Sequence, residues 1–593
     1  MRDLGEASAL LKRIAVAGRI ALLYSRTTGL KGESRMRAWM VLPLLALMPA
    51  TMSDGAMTPP LSALLAGVPI CGGDDAPPPR IPEIMAGYGG GGFAITHTNP
   101  EAQAFFDNGM QLAHAFAHKA ATAAMARSVQ LDPTCAMCLW GAAWTDGPTI
   151  NYTIDAAKMK EAAGKVAAAE KLLTPATPVK ERELIAALKL RYVNGGGNGA
   201  GDRAFARAMD ALAVRYPEDD EIAVITADAW MVPSALSNGT KNLPRAVALL
   251  ETVLKRSPDY TPAIHFYIHA TEMSGFPARA EPYADKLPGL APHASHLVHM
   301  PSHTFYWVGR YQDAADANVR AVAMGIENAK RQGLPQPGGE WQLPYHGHNV
   351  QYGVGGALMS GDAKDALALS GPMLAAGPHD PHGPNPYVQM AMGTAYAAEG
   401  RFAEPRDVLA LPDPGDKLGF ARGYWHYARG EAQARLGNAA GVRAELALIP
   451  EHAGPSNQAD MTAQSTQLLR IARYVLEGRA AMIEGRPLDA ARAFEKGAAL
   501  DETKMMGVLS DPPAWWYPVR RSYAAALLAA GKPKDALAQA DLVLARRPND
   551  PVTQSVRADA EAALGMSEAA VKDRALVARG WRGDKAALEL GAI

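Results

Sequence analysis

Gly531-Lys532-Pro533-Lys534-Asp535-Ala536, running on to Arg547-Pro548-Asn549-Asp550-Pro551, is the stretch from which the fold is read. Glycine takes the left-handed backbone that ends a helix at little cost, and proline suits the first turn of the next helix. The small Ala536 lets that second helix lie close against the first. Arg547-Pro548 then closes the second helix and opens a third. The same pattern recurs upstream. A glycine is followed five residues later by an alanine at Gly275/Ala280, Gly309/Ala314, Gly361/Ala366 and, in Gly485-Arg486-Pro487-Leu488-Asp489-Ala490, again before the C-terminal copy; Gly400-Arg401-Phe402 begins alike. Leu131-Asp132-Pro133, Ser257-Pro258 and Ala291-Pro292 mark repeat ends, and Pro258 precedes Pro292 by 34 residues. That is the length of a helix–turn–helix repeat. Hardly a strand pattern is present after residue 101, so the expected class is all-α.

Gly309-Arg310-Tyr311 with Ala314, and the 531–551 stretch above all, resemble the turn between the two helices of a tetratricopeptide repeat (TPR). The resemblance covers 101–593, with good copies near 101–133, 258–325 and 517–575. It implies a TPR-like α-solenoid (superhelix), each helix pair burying its faces against the next, with a concave surface lined by first helices. It also implies a protein-binding scaffold, which is what many members are. The expected organisation is an N-terminal extension with an export signal over 1–57, a Pro/Gly-rich linker or loose arm over 58–100, and the solenoid over 101–593 with a histidine-rich site in 258–352.

The composition allows a sizeable core, with 48% hydrophobic and 20% charged residues. Net charge is −1 and no Lys/Arg run is present, which argues against a nucleic-acid surface. Arg35 and Arg37 precede an apolar stretch from Ala38 to Met48, short for a membrane span and of the size of an export signal's core. Met36 is a candidate start. Cys71 follows Val68-Pro69-Ile70, a poor lipidation signal. The expectation is a soluble exported protein, periplasmic or secreted, with no membrane span once the signal is removed. Pro77-Pro78-Pro79 and Gly89-Gly90-Gly91-Gly92 keep helix out of the linker.

The chemistry concentrates in two histidine pairs. His265 and His269 are four residues apart, as are His299 and His303, and the second pair follows the first by 34 residues. Residues four apart share a helix face, and stacked repeats put equivalent faces side by side. Glu272 continues the first line. His296 precedes His299, and His348 stands thirteen residues before Gly361 as His296 stands thirteen before Gly309. Imidazoles with a carboxylate suit Zn, Fe, Ni or Cu. The expected ligands are His265, His269, His299 and His303, converging on one patch. Glu272 is the candidate ligand or general base, and His296, His348 and Asn349 are outer-sphere or substrate contacts. Pro301 interrupts the second line: either it bends one helix, or a new helix starts there. The Gly/Pro-rich insertion near 326–343 is a candidate lid over the site. Two functions follow. The first is a metal-binding protein, in its fullest form a metalloenzyme with a small-molecule substrate. The other is a non-catalytic scaffold whose groove takes a peptide or partner protein, the histidines serving recognition or pH sensing.

Cys135-Ala136-Met137-Cys138 reads first as a disulfide and second as a redox pair. His114 and His118, just upstream, read as ordinary core or surface residues. Asp511-Pro512-Pro513-Ala514-Trp515-Trp516-Tyr517-Pro518, with Arg520 and Arg521, reads as a packed aromatic kink. The chain has no Walker loop, no G-x-G-x-x-G after a strand, no G-x-S-x-G and no H-E-x-x-H.

Overall fold

The computed structural model describes residues 82–193, 199–237, 240–377, 386–453, 459–507 and 511–593. The expected export signal, Cys71 and the first part of the linker lie outside these residues. Helix follows helix without a strand among the described residues. The order is that of stacked helix pairs: Pro100–His114 with His118–Leu131, Tyr311–Arg331 after Pro301–Val308, His346–Ser360 with Ala363–Ala376, Pro533–Leu544 after Arg520–Ala529, and Pro551–Ala563 with Ser567–Gly580. The architecture is therefore all-α and TPR-like. The turn glycines behave as expected: Gly309 and Gly361 cap their helices with φ of 80° and 81°, and Ala314 and Ala366 are fully buried behind them.

The helix that carries His265 and His269 runs Thr261–Met273, with Tyr260 at its cap position. The Thr261 hydroxyl accepts a hydrogen bond from the Gly90 amide at 2.6 Å. That bond belongs to a larger correction. Residues 82–99 form no helix, as the prolines and glycines require, but they are docked rather than loose. The Met85 amide donates to Asn108 Oδ1 (2.9 Å) and the Met85 carbonyl accepts from Asn108 Nδ2 (2.9 Å). The His293 amide donates to the Gly87 carbonyl, and Tyr88 and Ile95 are buried.

A solenoid repeat ordinarily touches only its neighbours. This chain also closes on itself. The Tyr306 hydroxyl donates to the Trp516 carbonyl (3.0 Å), Asn549 Nδ2 to the Val308 carbonyl (2.8 Å), and the Arg582 amide to the Ser360 carbonyl (2.7 Å). From the other end, Asn151 Nδ2 donates to the Tyr345 hydroxyl (2.9 Å). The aromatic cluster packs as expected, with Trp515, Trp516 and Tyr517 buried and the Arg521 guanidinium 4.2 Å from the Tyr517 ring centre. C-terminal residues of the protein thus pack directly against the repeats that carry the histidines.

Candidate metal centre

Pro301 starts a new helix. Ser295–His299 is one short helix, Pro301–Val308 the next, and Met300 joins them with helical dihedrals. Proline costs nothing at a first turn because its missing N–H has no partner there anyway. The kink brings His299 Nε2 to 2.9 Å from His303 Nε2.

The histidines converge, in a grouping that differs from the expected one. Ligand atoms that lie within 4.8 Å of one another form the sets His265–His269–His296, His299–His303–His348 and His269–Glu272–His303. The four expected ligands do not make one set. His296 and His348, read from sequence as outer-sphere residues, are full members of the two triads. The reason is the offset between stacked helices: a repeat's pair meets the leading histidine of the following repeat. Asn349 is buried but bonds Ser295 Oγ (3.2 Å), at the start of the 295–299 helix. The 326–343 insertion packs Leu334 and Leu343 against Ala329 and Trp341 against His346. The residue of this region that reaches the triads is Tyr345, whose ring centre is 4.5 Å from that of His296.

Three of the imidazoles are held by their other nitrogen. His265 Nδ1 donates to the His114 carbonyl (2.6 Å). His299 Nδ1 donates to Asn318 Oδ1 (2.6 Å), whose own Nδ2 is engaged with the Ala314 carbonyl (2.7 Å). His303 Nδ1 donates to Glu272 Oε2 (2.8 Å). Metal-ligating histidines are oriented in this way. Glu272 in turn accepts from Trp307 Nε1 (2.9 Å) and the Tyr352 hydroxyl (3.3 Å) at Oε1, so it positions His303. His265 Nε2 lies 3.2 Å from His296 Nε2. His269 Nε2 and His296 Nδ1 are buried without a hydrogen-bond partner in the structure.

Burial dominates the electrostatics. It lowers His265 to about 3 and His348 to about 4, and takes His269, His296 and His299 well below the ordinary histidine value. His303 goes the other way: burial opposes its charge, but the carboxylates of Asp511 and Glu272 raise it to about 9. Asp511 Oδ1 stands 3.3 Å from His303 Nδ1 and 3.7 Å from His348 Nε2. The sequence gives no signal for this residue, which arrives from a loop more than two hundred residues beyond His303.

Phe116 was equally unannounced. Its ring stacks on His296 (5.0 Å between centres) and His269 (5.8 Å) and meets His265 edge-on (4.5 Å). His114 is a core residue, its Nε2 bonded to Glu221 (2.6 Å). Cys135 and Cys138 are joined as a disulfide, and neither they nor His114 and His118 enter any of the ligand groups found among the described residues.

No family model matches the chain, and no curated protein matches it. Solved structures to which it is similar include a human IFIT1 dimer with m7Gppp-AAAA (13% identity, 75% of this chain and 90% of that one, TM-score 0.31). Others are the P58(IPK) TPR domain (14%, 65% and 96%, TM-score 0.19) and Naa15/Naa10 bound to HypK (12%, 81% and 89%, TM-score 0.23). Likenesses this distant say nothing of the site. No helix among the described residues is long and apolar enough to cross a membrane.

Proposed function

We propose that the protein binds transition-metal ions in the buried histidine chamber and presents them to a small-molecule substrate. The observation that carries this reading is the contact between His299 and His303. Both rings use Nδ1–H as a donor, to Asn318 and Glu272. In the neutral rings both Nε2 atoms are therefore bare lone pairs, and they face each other at 2.9 Å. Two lone pairs at that distance repel unless a cation lies between them. In the metal-free protein the proton that the carboxylates of Asp511 and Glu272 hold on His303 satisfies this pair; an ion would displace it, and the further imidazoles nearby, with the unpartnered nitrogens of His269 and His296, suit an ion with several coordination positions. All-imidazole sets favour Cu, Zn, Fe or Ni over Mg or Ca. When bound, the ion would supply Lewis-acid or redox chemistry, while Glu272 would keep His303 in the tautomer that offers Nε2.

The peptide-scaffold alternative loses ground here because Asp511 and Trp516 already occupy the face over His303 and Tyr306. An oxidising, exported setting belongs to the same proposal, supported by the apolar segment 38–48 and the Cys135–Cys138 disulfide.

Elemental analysis of purified, metal-loaded protein tests the reading. Stoichiometric metal is expected in the wild type, with loss in His265→Ala and in His303→Ala while both keep their helical circular dichroism. Wild-type protein that retains no transition metal after loading and desalting would end it.

A further inference from the structure

We infer that the chamber is a two-ion centre, with one ion in the His265–His269–His296 triad and a second in the His299–His303–His348 triad, facing each other across a shared gap. This rests on the reading that the chamber binds metal.

The first argument is repeat register. Counted back from their turn glycines, His265 and His269 stand ten and six residues before Gly275, and His299 and His303 stand ten and six before Gly309. The third members obey the same rule one repeat later: His296 is thirteen before Gly309 and His348 thirteen before Gly361. Each triad is thus one ligand set, a pair from one repeat completed by the leading histidine of the next. The pattern then stops. The positions ten and six before Gly361 are Gln351 and Gly355, and the position thirteen before Gly275 is Pro262. A single-ion site needs one such set; this chain carries it twice in succession, and neither neighbouring repeat continues it.

The second argument is distance. Two nitrogens on one tetrahedral ion, each about 2.0–2.1 Å from the metal, are about 3.3 Å apart. Each triad already has one edge near that length: 3.2 Å between His265 Nε2 and His296 Nε2, and 2.9 Å between His299 Nε2 and His303 Nε2. Three protein nitrogens leave an open coordination position on each ion, the arrangement of a reactive site and not of a closed structural one. The triads also adjoin. The rings of His269 and His303, one from each, meet edge-on with centres 5.4 Å apart, close enough for ions at the roughly 3.5–4 Å separation of paired sites.

The third argument is the wall. Among the described residues, Phe116 and Tyr345 are the non-glycine residues with φ in the left-handed region, at 55° and 67°. Both set their rings against His296. Left-handed backbone at a bulky residue is costly and persists where the surroundings enforce it, typically at sites. The two ions would sit in unlike surroundings: aromatic rings flank both triads, Phe116 and Tyr345 the first and Tyr352 the second, but the carboxylates of Glu272 and Asp511 stand against the second. The substrate class that fits is a small molecule able to bridge both open positions, such as a diatomic or a single oxyanion group.

Copper(II) and zinc(II), used singly as probes on the full chain, test this. Elemental analysis after desalting is expected to give two ions per chain in the wild type, one in His296→Ala, one in His348→Ala and none in the double variant. With copper, the wild-type pair is expected to show a coupled, diminished paramagnetic resonance signal, and each single variant an isolated-ion signal. One ion per wild-type chain would overturn the pair yet leave metal binding standing, whereas no ion would remove both. A single variant that keeps its helicity and loses both ions would replace the two triads with one shared cluster. Should either alanine variant fail to fold, His296→Gln and His348→Gln give the same reading.

Discussion

Acidifying the metal-free protein from pH 7 to pH 5 is expected to destabilise it by about 7 kcal/mol, enough to unfold a chain of ordinary marginal stability. His265, His269, His296, His299, His346 and His348 are buried with their protonation suppressed. In the unfolded chain each titrates near 6.5. A group with a depressed folded value gives stability that is present above the unfolded value and is lost as pH falls below it, down to the folded value. Each imidazole then costs about 2 kcal/mol over this range, about 12 in all. Three groups oppose the loss. His303, raised to about 9, gives stability that is complete below 6.5 and fades as pH rises through 9. Asp501 and Asp228, raised by burial to about 7 and about 6, favour the fold on the acid side and lose that contribution as pH rises through those values. Together these offset about 4–5 kcal/mol between pH 7 and 5, so the imidazoles win. Melting temperature followed by circular dichroism against pH checks the sign. A metal-free protein whose melting point is flat from pH 7 to 5 would show the histidines to be hydrated, and bound metal is expected to displace the acid transition downward.

The pairing of His265 with His269 and of His299 with His303 was legible because two periods, 3.6 residues per turn and 34 per repeat, project directly into space. The membership of His296 and His348 was not. Both lie off their own repeat's ligand line, and only the stacking offset between neighbouring helices carries them into a preceding pair. The linker's glycines announced the absence of helix over 82–99 but not its docking, since that depends on Asn108 and Thr261 at distant positions. Asp511 lay furthest from view. An acid before Pro512-Pro513 reads as part of a kink, and its place beside His303 and His348 exists because the solenoid closes on itself. Repeat periodicity describes contacts between neighbours; closure is made by contacts that no period encodes.

Closure is also where a substitution remote from every histidine should tell. Asp550→Ala is expected to destabilise the protein by about 4 kcal/mol and to weaken metal retention. Asp550 and Arg521 are almost wholly buried and 3.3 Å apart. The same carboxylate caps the helix Pro551–Ala563, accepting from the Val552 amide (3.1 Å) and the Thr553 hydroxyl (2.7 Å). Alanine leaves the Arg521 charge buried without its partner, the costly way to break such a pair, and removes the cap as well. The neighbouring Asn549 holds the Val308 carbonyl and packs on Gly309, where a β-carbon would collide with the Asn549 β-carbon. Loosening 549–551 therefore frees the face that carries Trp516 over Tyr306 and Asp511 over His303. Hydrogen exchange should show early loss of protection in 533–593 and then in 301–308, with denaturant melts giving the stability change. A variant within about 1 kcal/mol of wild type, the size of the cap alone, would mean that Arg521 finds water in the native state and that the closing contact is not what holds the chamber shut.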